Sequence, residues 1–121
     1  MYLSPNLREL SVKTVGYSIS NNIIPSIKMS KESAKNKEVI LILGRQHPCE
    51  TVGSFIAEGI VKYLTQKHTI SSFLFKAFDV VIIPMVNPDG VIHGSSRCNM
   101  AGFDLNRQWG EYIIKVVGCL F

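Results

Sequence analysis

Two stretches near the start of the chain predict a β-hairpin, because the first alternates partly between apolar and polar positions and contains β-branched residues, and the second repeats its apolar character. Residues 11–20 read SVKTVGYSIS and residues 23–30 read IIPSIKMS, with the turn-prone Asn-Asn pair 21–22 between them. Pro25 cannot donate to a sheet ladder, so it indicates either an edge position or a bulge. The polar stretch 31–38 shows no periodicity and predicts an exposed loop.

The middle of the chain predicts a strand, a helix and a second strand. Residues 39–43, VILIL, form a continuous apolar run that is typical of a strand buried on both faces. Residues 51–66 carry apolar side chains at helical spacing, and a further apolar run at about 78–85 predicts another buried strand. This order is typical of a right-handed parallel crossover unit in an α/β protein with a mixed sheet. The apolar positions of the predicted helix are Val52, Phe55, Ile56, Ile60, Val61 and Leu64.

A polar turn follows each of the two predicted buried strands, HPCE at 47–50 and NPDG at 87–90. Ligands of open α/β sheets bind outside the carboxyl ends of the strands, so we expect both turns on one rim of the sheet. NPDG alone predicts only a turn. In it Pro88 presets φ, Asp89 can bond the local backbone, and Gly90 tolerates positive φ.

Composition and charge narrow the class of protein. With 121 residues, 46% of them hydrophobic, the chain is about the size of one domain and can form a core. The net charge of +4 mildly favours an acidic partner, but basic and aromatic residues are not interleaved as nucleic-acid binding requires. Three cysteines without CxxC spacing indicate a reducing compartment. We see no secretory signal and no membrane span, so we expect a cytoplasmic protein.

His47 and Glu50 are candidate metal ligands. An imidazole nitrogen and a carboxylate oxygen both suit Zn²⁺, and a strand-to-helix turn can bring two such residues onto one ion. A catalytic zinc usually takes three protein ligands, and HxxE spacing is common by chance. Alternatively, Glu50 stabilises the positive end of the following helix and His47 is an ordinary turn residue. These residues alone leave both interpretations open.

The segment DLNRQW, residues 104–109, is a candidate carboxylate-binding site. Arg107 could grip a carboxylate with two hydrogen bonds, helped by the amide of Asn106. Taken alone, such a cluster is more often a surface salt bridge with a helix cap.

Three motifs together are far more specific than each one. GRQHPCET, PMVNPDGVIHGSSRCNMAG and DLNRQW occur in this order, and the chain from about 11 to 109 resembles the zinc metallocarboxypeptidases. The similarity is strongest to their cytosolic branch, whose members remove glutamates from protein C-termini and side chains, including those of tubulin. The resemblance implies an incomplete carboxypeptidase-like fold, a zinc cofactor, C-terminal peptide hydrolysis, and peptide or protein tails, with tubulin-like acidic tails among them, as partners.

The resemblance also implies roles for individual residues. His47 and Glu50 match the first two zinc ligands, and Asp104 matches a carboxylate that orients His47. Arg97 matches the arginine that polarises the scissile carbonyl and stabilises the oxyanion. Asn106 and Arg107 match the pair that binds the terminal carboxylate of the substrate.

The chain departs from the family pattern in two ways. Cys49 replaces the usual glycine of HPGE, and a packing role is the simplest interpretation of its side chain. The family's third zinc ligand and general-base glutamate lie well downstream of DLNR, whereas Glu111 comes too early to match that base. We therefore expect residues 1–121 to be the front part of a catalytic domain, with a divergent segment at 110–121, and to be inactive alone.

Three alternatives stay open from the sequence. The chain could be a deacylase of the succinylglutamate desuccinylase and aspartoacylase group, which pairs an HxxE motif with a DLNR-like one. It could be a non-catalytic module that grips acidic tails through Arg97 and Arg107. It could also fail to fold stably by itself.

Overall fold

A four-stranded mixed sheet organises the computed structural model, which describes residues 9–31, 37–66 and 69–110. Most of the predicted loop 31–38 and of the divergent segment 110–121 lies outside the described residues. The strands are β1 (Glu9–Tyr17), β2 (Ile23–Ser30), β3 (Glu38–Leu43) and β4 (Phe78–Ile83). The helices are α1 (Val52–Thr65), α2 (Thr69–Ala77) and α3 (Pro88–Ile92), with a 3₁₀ turn at Leu105–Arg107.

The strand order is β1-β2-β4-β3. β2 pairs antiparallel with both β1 and β4, whereas β3 pairs parallel with β4. The predicted mixed sheet, with a hairpin and a parallel strand-helix-strand unit, is therefore confirmed. Leu43 at the end of β3 is level with Ile83 at the end of β4, so the segments that follow both strands leave from the same rim.

Pro25 lies beside a β-bulge, one of the two positions that the sequence predicted for it. The register between β1 and β2 shifts between Thr14 and Gly16, which leaves one extra residue in β1, and Pro25 faces Thr14 there. A ladder hydrogen bond is dispensable at such an irregularity, so an internal strand can accommodate proline.

Two apolar clusters lie against the sheet. The larger one joins β2 and β4 to α1 and α2, and the smaller one joins the sheet to the segments that carry the polar turns. Leu105 belongs to the smaller cluster and is buried, so it anchors the 3₁₀ turn. The buried members are Met29, Ala57, Leu64, Phe75, Val80 and Ile82 in the larger cluster, and Ile24, Ile83, Val86 and Leu105 in the smaller.

The expectation that residues 39–43 are buried on both faces is wrong. Among the described residues β3 lies at the edge of the sheet, with β4 as its neighbour. Val39 and Leu41 are 60% and 52% exposed, while Ile40 and Ile42 pack against the larger cluster. An apolar run cannot by itself distinguish a covered strand from one whose second face is open.

The helix predicted at 51–66 is confirmed as α1, but its apolar stripe is only partly buried. Leu64 is buried, whereas Val52, Phe55 and Ile56 at the start of the helix are exposed. α2 was not predicted from the sequence; it is short, and β4 begins at the next residue. Within the described ranges, no helix is long and apolar enough to cross a bilayer.

NPDG forms the first turn of α3. Asn87 caps that helix, because its Oδ1 accepts a hydrogen bond from the Gly90 amide at 3.0 Å. Gly90 does not use the positive φ that it could adopt in a turn; the described glycines with positive φ are Gly94 and Gly102. Gly90 is needed because a side chain has no room there. A Cβ would collide with the Pro48 side chain and would lie 2.9 Å from the side-chain amide of Asn87.

Asp89 bonds residues distant in sequence rather than its local backbone. Asp89 is 1% exposed, and its carboxylate accepts hydrogen bonds from the Ser18 hydroxyl, the Ser20 backbone amide at 3.0 Å and Asn22 Nδ2 at 2.8 Å. Burial by itself raises the pKa of Asp89, but the donors from Ser18, Asn22 and Ser20 outweigh burial and lower this pKa. The ionised Asp89 thus clamps the β1–β2 turn to α3.

Replacing Asp89 by asparagine should lower the free energy of unfolding by about 2–3 kcal/mol at pH 7, because hydrogen bonds to a buried charge are lost. The folded-state pKa is depressed, so the stabilisation by Asp89 exists above the usual value of 3.8 and disappears as the pH falls below it. Urea unfolding at pH 7 and pH 3 measures both effects.

Glu58→Gln is the matched control for Asp89→Asn. Glu58 forms an exposed ion pair with Lys62 on α1, which contributes only about 0.3–0.5 kcal/mol. Equal stability and equal acid sensitivity of wild type and Asp89→Asn would contradict the clamp.

Replacing Gly90 by alanine should destabilise the protein by about 1–3 kcal/mol, because the added methyl group overpacks the contact with Pro48. Gly59→Ala is the control, since a Cβ at Gly59 in α1 meets no atom within 4 Å. This control should gain about 0.5–1 kcal/mol from helix propensity. Thermal melts of the two variants should move in opposite directions; a shared direction would rule out the packing explanation.

Candidate metal centre

Backbone hydrogen bonds join the segments that follow β3 and β4. The Gly44 amide donates to the Ile83 carbonyl at 2.8 Å, and the Val86 amide donates to the Gly44 carbonyl at 2.9 Å. Gly44 also has no room for a Cβ, which would lie 2.8 Å from the Pro84 carbonyl oxygen. The backbone amide of Asn87 continues the series by donating to the Arg45 carbonyl at 3.2 Å. HPCE and NPDG therefore lie side by side on one rim of the sheet.

Arg45 shapes the turn that carries His47. Its φ is 54°, in the left-handed region, and its Nε and Nη2 both donate to the Pro48 carbonyl, Nε at 2.9 Å. The side chain thus closes a strained turn that costs about 1–3 kcal/mol for a non-glycine residue. Arg45 could not be selected from the sequence, because positive φ at an arginine has no sequence signature.

His47 lies between two carboxylates and is 7% exposed. Its Nδ1 is 2.8 Å from Glu50 Oε1, and its Nε2 is 2.9 Å from Asp104 Oδ1. The hydrogen bonds to Glu50 and then to Asp104 raise the pKa of His47 above 6.5. Without a metal, the ring therefore retains a second proton to a higher pH than a free histidine does.

Asp104 connects three of the residues selected from the sequence. Its Oδ1 accepts hydrogen bonds from His47 Nε2 and from the backbone amide of Asn106, the latter at 3.0 Å. Its Oδ2 accepts a hydrogen bond from Arg97 Nε at 2.6 Å. Partial burial alone raises the pKa of Asp104, but His47, Arg97 and the Asn106 amide outweigh it and lower the pKa to about 2. Asp104 is therefore ionised at neutral pH.

Asn106 and Arg107 occupy the 3₁₀ turn next to this network. Both are exposed, and Arg107 Nη1 donates to the Asn106 carbonyl at 3.4 Å. The structure thus joins His47, Glu50, Asp104 and Arg97 directly, whereas the side chains of Asn106 and Arg107 stand beside them on the surface.

Two side chains of this site have donor atoms that suit one zinc ion. Asp104 engages Nε2 of His47, which leaves Nδ1 and the facing Glu50 carboxylate as the ligand atoms. A histidine backed by a carboxylate is a frequent arrangement at zinc sites. Across residues 9–31, 37–66 and 69–110, no three His, Cys, Asp or Glu side chains are grouped to hold a metal. Cys49 is exposed, and its backbone N–H donates a hydrogen bond to the Ser96 carbonyl at 3.4 Å.

Curated proteins with similar sequences include cytosolic carboxypeptidases. Cytosolic carboxypeptidase 6 of Mus musculus is 49% identical over 73 residues, covering 60% of this chain and 14% of that protein. Cytosolic carboxypeptidase 2 of Danio rerio is 32% identical over 115 residues, covering 95% of this chain and 16% of that protein. The chain therefore spans a small part of the length of these relatives.

Solved structures give the same result for the fold. A metallo-carboxypeptidase from Burkholderia cenocepacia matches with a TM-score of 0.78 and 30% identity over 85% of this chain and 29% of that chain. An aspartoacylase family protein from Mesorhizobium loti matches with a TM-score of 0.60 and 20% identity over 89% of this chain and 34% of that chain. The latter likeness shows a shared fold alone.

The family comparison covers nearly the whole sequence. The family model described as zinc carboxypeptidase matches residues 5–118. This match confirms the family that the order of HPCE, NPDG and DLNR predicted. The chain belongs to the zinc carboxypeptidase family, with similarity to its cytosolic members.

Proposed function

We propose that this chain supplies the zinc-binding and carboxylate-binding part of a metallocarboxypeptidase that hydrolyses C-terminal peptide bonds. The observation that carries the proposal is the network in which Asp104 engages Nε2 of His47 while Nδ1 faces Glu50. A metal ligand needs a fixed ring orientation and a nitrogen with an available lone pair; Asp104 fixes the ring, and Nδ1 becomes available once it gives up the proton that it shares with Glu50. In this proposal residues 1–121 form the front part of a catalytic domain.

His47 Nδ1 and the Glu50 carboxylate would hold the zinc. When bound, zinc supplies Lewis-acid activation of the substrate carbonyl and of water. Before binding, His47 must release the proton that its two carboxylate neighbours stabilise. Asp104 then accepts the remaining Nε2–H and sets the tautomer that leaves Nδ1 available.

Arg97 would stabilise negative charge on the substrate carbonyl oxygen. Its Nε is fixed by Asp104, so the two terminal guanidinium nitrogens are the ones that can face the substrate. The Arg97 side chain is half exposed beside the metal ligands, where a fixed cation stabilises a developing oxyanion.

Asn106 and Arg107 would bind the carboxylate of the substrate's last residue. A guanidinium forms paired hydrogen bonds with a carboxylate, and both side chains are exposed in a turn that buried Leu105 anchors. The net charge of +4, together with exposed Arg97 and Arg107, supports acidic tails such as those of tubulin as the substrate class. The names of the cytosolic relatives support a cytoplasmic location.

The 121-residue chain alone should not complete this reaction. The described residues offer two ligand positions and no grouped third one, so a third ligand and a general base would come from elsewhere. A second candidate function is a non-catalytic module that grips acidic tails, which the exposure of Arg97 and Arg107 favours. A deacylase of the aspartoacylase type shares the fold, and hydrolysis of an N-acyl amino acid would identify it.

Zinc binding to the chain should be weak and should weaken about tenfold per pH unit below the raised pKa of His47, because zinc and the proton compete for Nδ1. Calorimetry between pH 5 and pH 8, in buffers of different ionisation enthalpy, measures affinity and proton release together. His47→Ala should abolish binding, whereas His93→Ala, an exposed control, should not. Binding that survives His47→Ala or ignores pH would contradict the assignment.

A peptide that ends in glutamate should bind the chain through its free C-terminal carboxylate. Arg107→Gln should weaken binding about tenfold or more, since a paired ionic hydrogen bond is lost. Lys76→Gln on α2 is the control. Equal binding of the C-terminally amidated peptide would instead support the non-catalytic module. Release of glutamate by the chain alone would refute the proposed incompleteness.

A further inference from the structure

Trp109 lies on the surface beside Asn106 and makes a directional contact with it. The indole Nε1–H donates to Asn106 Oδ1 at 3.3 Å, although Trp109 is 57% exposed. Trp109 belongs to neither buried apolar cluster of the described residues. Its observed polar contact is therefore with a side chain of the candidate carboxylate-binding pair.

The chemistry of the indole group decides which end of the Asn106 amide faces Trp109. An indole N–H is a donor only, whereas a side-chain amide carries an accepting oxygen and a donating NH₂ group. The contact therefore requires the amide oxygen on the Trp109 side and turns the NH₂ group away from it. The backbone of Asn106 is fixed as well, because its backbone N–H donates to Asp104 Oδ1 at 3.0 Å.

The orientation of this amide matters for a carboxylate ligand. An ionised carboxylate accepts hydrogen bonds and cannot donate, so the NH₂ end of Asn106 can bind it and the oxygen end repels it. An asparagine side chain without such a neighbour populates both orientations of its amide. Only one of the two presents the NH₂ group, and the other presents the oxygen. A neighbour that accepts only one orientation removes this loss before the ligand arrives.

We propose that Trp109 is a positioning residue that holds the Asn106 amide with its NH₂ group toward the terminal carboxylate of a peptide. This inference rests on the proposed binding of that carboxylate by Asn106 and Arg107. Trp109 acts through Asn106 and through its N–H, so the effect depends on the indole nitrogen rather than on the apolar ring.

The chain contains one tryptophan, which makes the contact directly observable. In ¹⁵N-labelled protein the single indole N–H resonance should shift in Asn106→Ala and exchange faster with solvent than in wild type. Phe73→Leu, which changes an exposed aromatic residue of α2, should leave the resonance unchanged. An indole resonance that ignores Asn106→Ala would overturn the proposal.

Peptide titrations test the consequence for binding. Trp109→Phe keeps an aromatic ring and removes the N–H, so affinity for a glutamate-ending peptide should fall about twofold, because the Asn106 side chain then presents its NH₂ group in only one of two orientations. In the double variant with Asn106→Ala, the tryptophan change should add nothing further, because its effect passes through Asn106. Phe73→Leu should bind as wild type does.

The outcomes separate this inference from the function on which it rests. The positioning role would be overturned if Trp109→Phe left peptide affinity unchanged, or if its effect and that of Asn106→Ala were additive in the double variant. In both cases Arg107→Gln would still weaken binding, so the proposed function would stand. No binding by wild type, or binding that ignores both Arg107→Gln and Asn106→Ala, would overturn the proposed function and the inference together.

Discussion

The carboxylate of Asp104 accepts hydrogen bonds on both oxygens and thereby joins three segments of the chain. One oxygen engages His47, which follows β3, and the Asn106 amide in the 3₁₀ turn; the other engages Arg97, which follows α3. These donors keep Asp104 ionised, and the ionised form is the one that can receive all of them. Without this carboxylate, no contact among the described side chains would fix the ring of His47 from its Nε2 side.

The scaffold places these segments within reach of Asp104. The parallel strands β3 and β4 end level with each other, and hydrogen bonds from Gly44 continue the pairing beyond the strands. Gly90 then allows α3 to approach Pro48, the residue next to His47. Buried Asp89 holds α3 to the hairpin on its other side. Close packing around glycine and one clamped carboxylate therefore determine where His47 stands.

Local patterns predicted the elements of the fold but not their long-range contacts. Helical periodicity was sufficient for α1, a continuous apolar run for β4 and partial alternation for the hairpin, and the position of polar turns after strands indicated the shared rim. Neither pattern reveals that the partners of Asp89 lie 67 to 71 residues away, or that a nearby side chain occupies the space beside Gly90. The exposure of Val39 depends on what covers the second face of the sheet, which the composition of a strand does not encode.

The candidate site shows the same division. Residue type and spacing left His47 and Glu50 as either metal ligands or ordinary turn residues. Only the order of three motifs made Asp104 and Arg97 candidates. Arg45 and the amide orientation of Asn106 had no signal, because a strained φ and a hydrogen-bond direction arise from the folded geometry. The sequence thus indicates which side chains take part, whereas the structure indicates which atoms face which.

In the proposed metal centre, Asp104 holds His47 so that Nδ1, together with Glu50, receives the metal. Anomalous scattering at the zinc edge, from crystals of the chain grown with excess Zn²⁺, locates the ion directly. One peak is expected within bonding distance of His47 Nδ1 and the Glu50 carboxylate, with Nε2 still against Asp104. A peak at Nε2, or at Cys49 or Cys98 with His47 unchanged, would contradict it.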